Sequence, residues 1–161
     1  MKVENVGHIN EGGTKKTEIL DGMVIDLDVE IVMEDGIVLR ADVFRPAQEG
    51  KYPIIMNYGP YGKWLHFKDG YPRQWNLMQT KYADSLAGST TKYRTWETVD
   101  PEKWVPFGYV VVRVDSRGAG RSEGEIDCWS LREAQDYYNC IELFAVQPYS
   151  DGKVGLLGIS Y

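Results

Sequence analysis

Tyr109-Val110-Val111-Val112-Arg113-Val114 runs straight into Asp115-Ser116-Arg117-Gly118-Ala119-Gly120-Arg121-Ser122. A continuous β-branched run that stops at a glycine-rich loop predicts a strand buried on both faces, as parallel sheets contain. Two other short apolar runs read the same way: Pro53-Ile54-Ile55-Met56-Asn57-Tyr58 and Lys153-Val154-Gly155-Leu156-Leu157. Between the second and third strands lies a helix with clear punctuation. Ser130-Leu131-Arg132-Glu133 reads as a capping box, in which the serine hydroxyl and the glutamate carboxylate satisfy each other's orphan amides. Leu131, Ala134, Tyr138, Ile141 and Ala145 follow at helical spacing, and Pro148 stops the run. Asp100-Pro101-Glu102 predicts a short helix just before Tyr109, with Asp100 as cap and Pro101 at the first helical position.

Upstream the pattern changes. Val24, Leu27, Val29, Ile31 and Met33 are separated by Asp26, Asp28 and Glu30; Asp35-Gly36 supplies a turn; Val38 to Phe44 resumes the alternation and Pro46 closes it. This predicts an antiparallel hairpin. A hairpin feeding strand–helix–strand units makes a mixed sheet with helices on its faces, so the class is α/β. Residues 1–22 are polar and glycine-bearing and are expected as a loose leader, with the domain proper in 23–161.

Composition bounds the function. The 161 residues carry 18 Lys+Arg against 24 Asp+Glu, a net charge of −6, which argues against a nucleic-acid partner. No apolar run approaches the ~18 residues of a membrane span, and no secretory signal opens the chain, so a cytoplasmic location is expected. Cys128 and Cys140 fit neither a disulfide scaffold nor a zinc spacing and read as reduced thiols. Neither a metal nor another cofactor is expected.

Three clusters bear on chemistry. Leu157-Gly158-Ile159-Ser160-Tyr161 follows a strand and matches the opening of the G-x-S-x-G nucleophile elbow, whose final glycine would be residue 162. Ser160 is therefore a candidate nucleophile, and Gly158 the small residue that lets the backbone bend. Gly118, Gly120 and Gly124 superficially suggest a phosphate cradle. Their spacing misses G-x-G-x-x-G, and Glu123, Glu125 and Asp127 follow where a helix should start, so a nucleotide site is rejected. The loop reads instead as a brace with an Asp115–Arg117 ion pair. Asn57-Tyr58-Gly59-Pro60-Tyr61-Gly62-Lys63 is not a P-loop, but it ends a parallel strand where open α/β sheets meet ligands, and Tyr61 offers a phenol donor there. The aromatics of the long 64–96 connection are open to two readings, an acyl pocket or loop packing.

Taken together, these stretches resemble the α/β-hydrolase family that includes X-Pro dipeptidyl-peptidases, cocaine esterase, α-amino-acid ester hydrolases and glutaryl acylases. The resemblance runs from Met33-Glu34-Asp35-Gly36 through Gly59-Pro60-Tyr61-Gly62-Lys63, Trp104-Val105-Pro106-Phe107-Gly108-Tyr109, the 115–122 loop and Gln147-Pro148-Tyr149-Ser150-Asp151-Gly152 to Gly158-Ile159-Ser160-Tyr161. Tyr149 and Leu143 stand where that family often has Trp. The resemblance implies the N-terminal half of an α/β-hydrolase fold and a serine hydrolase of ester or amide bonds, acyl or X-Pro dipeptidyl, working through an acyl-enzyme. It implies Ser160 as nucleophile, with the backbone N–H of Tyr161 and the phenol of Tyr61 forming the oxyanion hole. The expected partner is a small-molecule or peptide acyl substrate; the oligomeric state is left open. In this fold the triad runs Ser, Asp/Glu, His, whereas His8 and His66 both precede Ser160. The alternative is an inactive fragment, cut just after the elbow and silent without the triad Asp and His.

Overall fold

The computed structural model describes residues 5–161. Its strands are β1 (His8–Asn10), β2 (Lys16–Leu20), β3 (Met23–Val32), β4 (Val38–Pro46), β5 (Tyr52–Gly59), β6 (Val110–Asp115) and β7 (Ser150–Leu156). Its α-helices are α1 (Phe67–Gly70), α2 (Pro72–Lys81), α3 (Pro101–Trp104) and α4 (Leu131–Ala145). The sheet order is β1-β3-β4-β6-β5-β7, with β2 also paired to β3. β3–β4 and β4–β6 are antiparallel, whereas β5–β6 and β5–β7 are parallel. This is the mixed sheet expected from the sequence.

β3 does not alternate cleanly, and its lapse organises the site. Asp26 pairs with Val43 and Val29 with Ala41, so Leu27 and Asp28 together stand opposite Asp42. Such a bulge reverses which face the following side chains take. Met23 and Ile25 join Phe44, Val99, Val105 and Val111 on one face, while Val29, Ile31 and Met33 join Leu39, Val112 and Val114 on the other. The bulged Asp28 takes φ +55°, a left-handed conformation that aspartate tolerates better than most residues.

Four expectations are corrected. The loose leader is in part a pair of strands: β1 and β2 pair with β3, and their exposure explains the polar composition; residues 1–4 lie outside the described residues. On α4 the predicted apolar stripe is not the buried one. Leu131 is 91% exposed, and the helix buries Asp136, Asn139, Cys140, Leu143 and Phe144 instead. Charge pairing lets polar residues occupy that face: Asp136 accepts from Arg117 Nε at 2.6 Å and Arg132 Nε at 2.9 Å, and Asn139 Nδ2 donates to Glu34 at 2.7 Å. Half of the capping box forms, with the Glu133 N–H donating to Ser130 Oγ at 3.1 Å, but the Glu133 carboxylate takes the Trp129 N–H at 2.8 Å. β7, expected to be buried on both faces, pairs among the described residues with β5 alone and leaves Leu156 55% exposed.

The long connection after β5 is partly helical and closes on its own aromatics. Phe67 packs against Trp75 and Trp96, with ring centroids 5.5 and 5.0 Å apart, and Tyr71 stacks on Trp96 at 4.4 Å. Packing is thus the reading observed for these side chains. Among the described residues no helix is long and apolar enough to cross a membrane.

Candidate active site

Because β5, β6 and β7 are parallel, their carboxyl ends open on one edge of the sheet, where loops of α/β proteins meet ligands. All three clusters singled out in the sequence converge there. β7 is extended by one backbone bond, Leu157 N–H to Met56 O at 2.9 Å, and the chain then turns sharply through Gly158-Ile159-Ser160-Tyr161. Ser160 is exposed at φ +67°. That left-handed value is costly for a non-glycine residue, of order 1–3 kcal/mol, and such strain concentrates at functional sites. Gly158 is required sterically: a Cβ there would lie 2.9 Å from the Tyr161 carbonyl oxygen. The Tyr161 N–H donates to Ile159 O at 2.7 Å, closing the turn.

Tyr61 faces this turn. The Tyr61 and Tyr161 rings meet edge to face, with centroids 6.3 Å apart, and both flank Gly59. Burial pushes the Tyr61 phenol up from its ordinary value, the Glu97 carboxylate adds to this, and the Ser160 side chain pulls the other way. The phenol is therefore a proton-bearing donor beside the serine. Tyr161 Oη donates to the Glu133 carboxylate at the start of α4, and the Trp129 ring lies 4.5 Å from its own.

The loop after β6 braces this edge differently from the sequence expectation. Asp115 does not pair with Arg117. Its carboxylate accepts the backbone N–H groups of Lys63 at 2.7 Å and Arg121 at 2.9 Å. Gly120 is needed here, because a Cβ would fall 2.2 Å from Asp115 Oδ2. Arg117 reaches Asp136 and, at 3.0 Å, Asp35.

Neither histidine lines the cleft beside Tyr61. His66 caps α1, its Nδ1 accepting from the Lys68 N–H at 3.1 Å, so Nε2 carries the proton toward Thr91 O at 2.9 Å. His8 lies in β1, at the sheet edge opposite β7. Among the described residues no three His, Cys, Asp or Glu side chains converge as a metal site requires.

Sequence reading missed Glu97. It lines the cleft beside Tyr61 at φ +52°, and its Oε2 is buried without a hydrogen-bond partner among the described residues. No local pattern marks it, since it lies in irregular chain between Trp96 and Thr98. A roomier depression, about 720 Å³ between Arg45, Tyr52 and Tyr149, lies at the amino ends of β5 and β7. It lacks the serine, the phenol and the strained turn, so the smaller cleft is the candidate site.

Known proteins share this chain's sequence and fold. Residues 35–161 match the family model of X-Pro dipeptidyl-peptidase, S15 family. Cocaine esterase of Rhodococcus sp. (strain MB1 Bresler) is 29% identical over 134 residues, covering 83% of this chain and 19% of that protein. A crystal structure of a CocE/NonD family hydrolase from Staphylococcus aureus superposes with a TM-score of 0.70 at 34% identity, covering 98% of this chain and 27% of that one. An α-amino-acid ester hydrolase shares the fold, with a TM-score of 0.56 at 20% identity over 91% of this chain and 23% of its own. The chain spans about a fifth of the length of the curated relatives it matches. Its mixed sheet is the N-terminal half of an α/β-hydrolase fold, and the chain belongs to the X-Pro dipeptidyl-peptidase (S15) family.

Proposed function

We propose that this chain supplies the nucleophile and oxyanion hole of a serine hydrolase that cleaves ester or amide bonds through an acyl-enzyme. The observation that carries this reading is Ser160, held at φ +67° after Gly158 at the carboxyl end of β7, with Tyr61 beside it. A serine hydroxyl is a weak nucleophile until a base removes its proton. The base is an imidazole from outside these 161 residues, as the Ser, Asp/Glu, His order of the fold requires. As the proton leaves, Ser160 Oγ bonds to the substrate carbonyl carbon, and negative charge moves to the carbonyl oxygen. The Tyr61 phenol and the Tyr161 N–H donate to that oxyanion; Tyr161 must first turn its N–H away from Ile159 O. Collapse of the tetrahedral intermediate breaks the ester or amide bond, and the imidazolium proton goes to the departing alcohol or amine. Water then releases the acyl group by the same steps.

The test uses the full-length gene product that contains these residues. Labelling with a fluorophosphonate and hydrolysis of p-nitrophenyl butyrate and an Xaa-Pro-p-nitroanilide are measured with and without Ser160→Ala. Labelling and hydrolysis of at least one substrate are expected, and both should vanish in the variant. Survival of either in Ser160→Ala removes Ser160 from the mechanism. The isolated 161-residue chain is expected to stay unlabelled, because His66 is held by the Lys68 N–H and Thr91 O and His8 lies at the sheet edge opposite β7. Labelling of Ser160 in that chain would show a base within it.

A further inference from the structure

Two residues beyond Tyr61, the Lys63 ammonium is almost sealed from water. Its side chain is 2% exposed, and Nζ lies 2.5 Å from Asp28 Oδ1 and 2.9 Å from Asp42 Oδ1. Asp28 and Asp42 have side chains only 4% and 6% exposed. The other oxygen of Asp28 binds Arg121, whose guanidinium lies over the Trp64 ring and screens the group from solvent. Asp42 Oδ1 also accepts the Asp28 N–H at 3.0 Å, which fixes the bulge. Two carboxylates thus face Lys63 and Arg121, each of the four in a different segment (the β3 bulge, β4, the loop after β5 and the loop after β6), while the exposed Lys15 reaches Asp28 Oδ2 from outside at 3.7 Å.

A buried ion cluster is a poor way to gain stability, because apolar residues of similar volume do as well or better. What it provides is direction. Bulges re-aim side chains beside functional sites, and this one turns Asp28 toward Lys63. The Lys63 main chain is held as well, its N–H on Asp115 at 2.7 Å. Gly62, at φ +81°, is the only residue between Lys63 and Tyr61, so the anchor acts on Tyr61 through a short, sharply turned link.

We propose that Lys63, gripped by Asp28 and Asp42, is the positioning residue that holds the Tyr61 phenol over the oxyanion site. The proposal rests on the oxyanion role given to Tyr61 above. It makes turnover, not substrate binding, depend on a cation that never touches substrate, because a misplaced donor weakens the transition state and leaves the ground state nearly intact.

The test is a double-mutant cycle in the full-length gene product, with kcat and KM read on p-nitrophenyl butyrate. Lys63→Met keeps the length of the side chain and removes its charge. Asp42→Asn is the milder variant, keeping an acceptor for Lys63 and for the Asp28 N–H. Each is made alone and with Tyr61→Phe, and unfolding midpoints are measured alongside. Tyr61→Phe is expected to lower kcat by about 10²–10³. Lys63→Met should lower kcat on the order of 10²-fold, and KM should move by less than about twofold. Asp42→Asn should give the same pattern at smaller amplitude. In the Tyr61→Phe background both variants should cost less than about twofold more, because the group they position is already gone. A full Tyr61→Phe loss with effects of Lys63→Met or Asp42→Asn that multiply onto it overturns the clamp and leaves the oxyanion reading standing. A Tyr61→Phe loss below tenfold overturns the oxyanion reading and the clamp with it.

Discussion

Gly118, at φ +72°, has no room for a side chain: a Cβ would lie 2.3 Å from the Ile126 nitrogen and 2.4 Å from the Glu125 carbonyl carbon. Gly152 has a similar φ of +87° but meets nothing within 4 Å. The two separate the cost of left-handed backbone from the cost of collision. Gly152→Ala should lose only the conformational part, roughly 1–2 kcal/mol. Gly118→Ala should lose roughly 2–4 kcal/mol, because the loop after β6 must also shift. Urea unfolding of the two variants checks this, and equal losses would mean that the 115–126 loop yields freely. At this scale the sequence was informative where chemistry is local. Gly-x-Ser after a strand predicted the sharp turn at Ser160, and the end of the β5 run put Tyr61 at the same sheet edge. Glu97 was invisible, and Asp28, Asp42 and Lys63 could not be associated, because their grouping depends on a bulge in β3 and on a loop after β5 that packs back against the hairpin.

Helix α4 shows how pairing between elements overrides periodicity. Its apolar positions suggested one buried face, but Asp136 is completely buried and takes two arginines, so the helix rotates toward the β3–β4 turn. Across that contact Glu34 accepts from Arg132 Nη1 at 2.6 Å and from Asn139 Nδ2 at 2.7 Å. The order of most elements along the chain could be read from patterns of two and 3.6 residues; the order of strands in the sheet and the face a helix presents could not, since a buried aspartate reads as a solvent residue until its partners are known. Asp136→Ala should cost roughly 3 kcal/mol in urea unfolding, the low end for breaking a buried ion pair, because Arg117 retains Asp35. A loss below about 1 kcal/mol would place the pair among weak surface bridges. Glu34 adds a pH dependence. Hydrogen bonding to Arg132 holds its carboxyl below the ordinary glutamate value. An acid whose pKa is lowered by folding contributes stability above its unfolded value, about 4.3, and loses it as pH falls through the folded value. Wild type should therefore exceed Glu34→Gln in stability at pH 7, and the gap should close below about pH 4. A gap that widens in acid would reverse the assignment.

Over the whole molecule, the sheet carries a core on each face and leaves β7 at its edge. One face is covered by Cys140, Leu143 and Phe144 of α4, the other by Val99, Val105 and the chain leading into β6. The apolar run of β7 predicted burial because composition records the contacts a strand is suited to make; exposure depends on which neighbours are present, and among the described residues β7 pairs with β5 alone. The two cysteines offer a direct measure of how firmly α4 closes its face. Cys128 is exposed, whereas Cys140 is fully buried against the sheet, and burial pushes its thiol well above the ordinary value. Accessibility therefore favours reaction at Cys128, and the raised thiol slows Cys140 further. Of the two thiols in residues 1–161, a disulfide reagent such as DTNB should modify Cys128 quickly and Cys140 only as the fold opens. Cys128→Ser should remove the fast phase and leave the slow one. Because Cys140 lies in the continuous core, its rate should rise with urea in parallel with global unfolding, as the most protected sites of a domain do. A slow phase insensitive to urea would mean that α4 lifts from the sheet by a local opening, and equal rates for both thiols would mean that it is not docked at all.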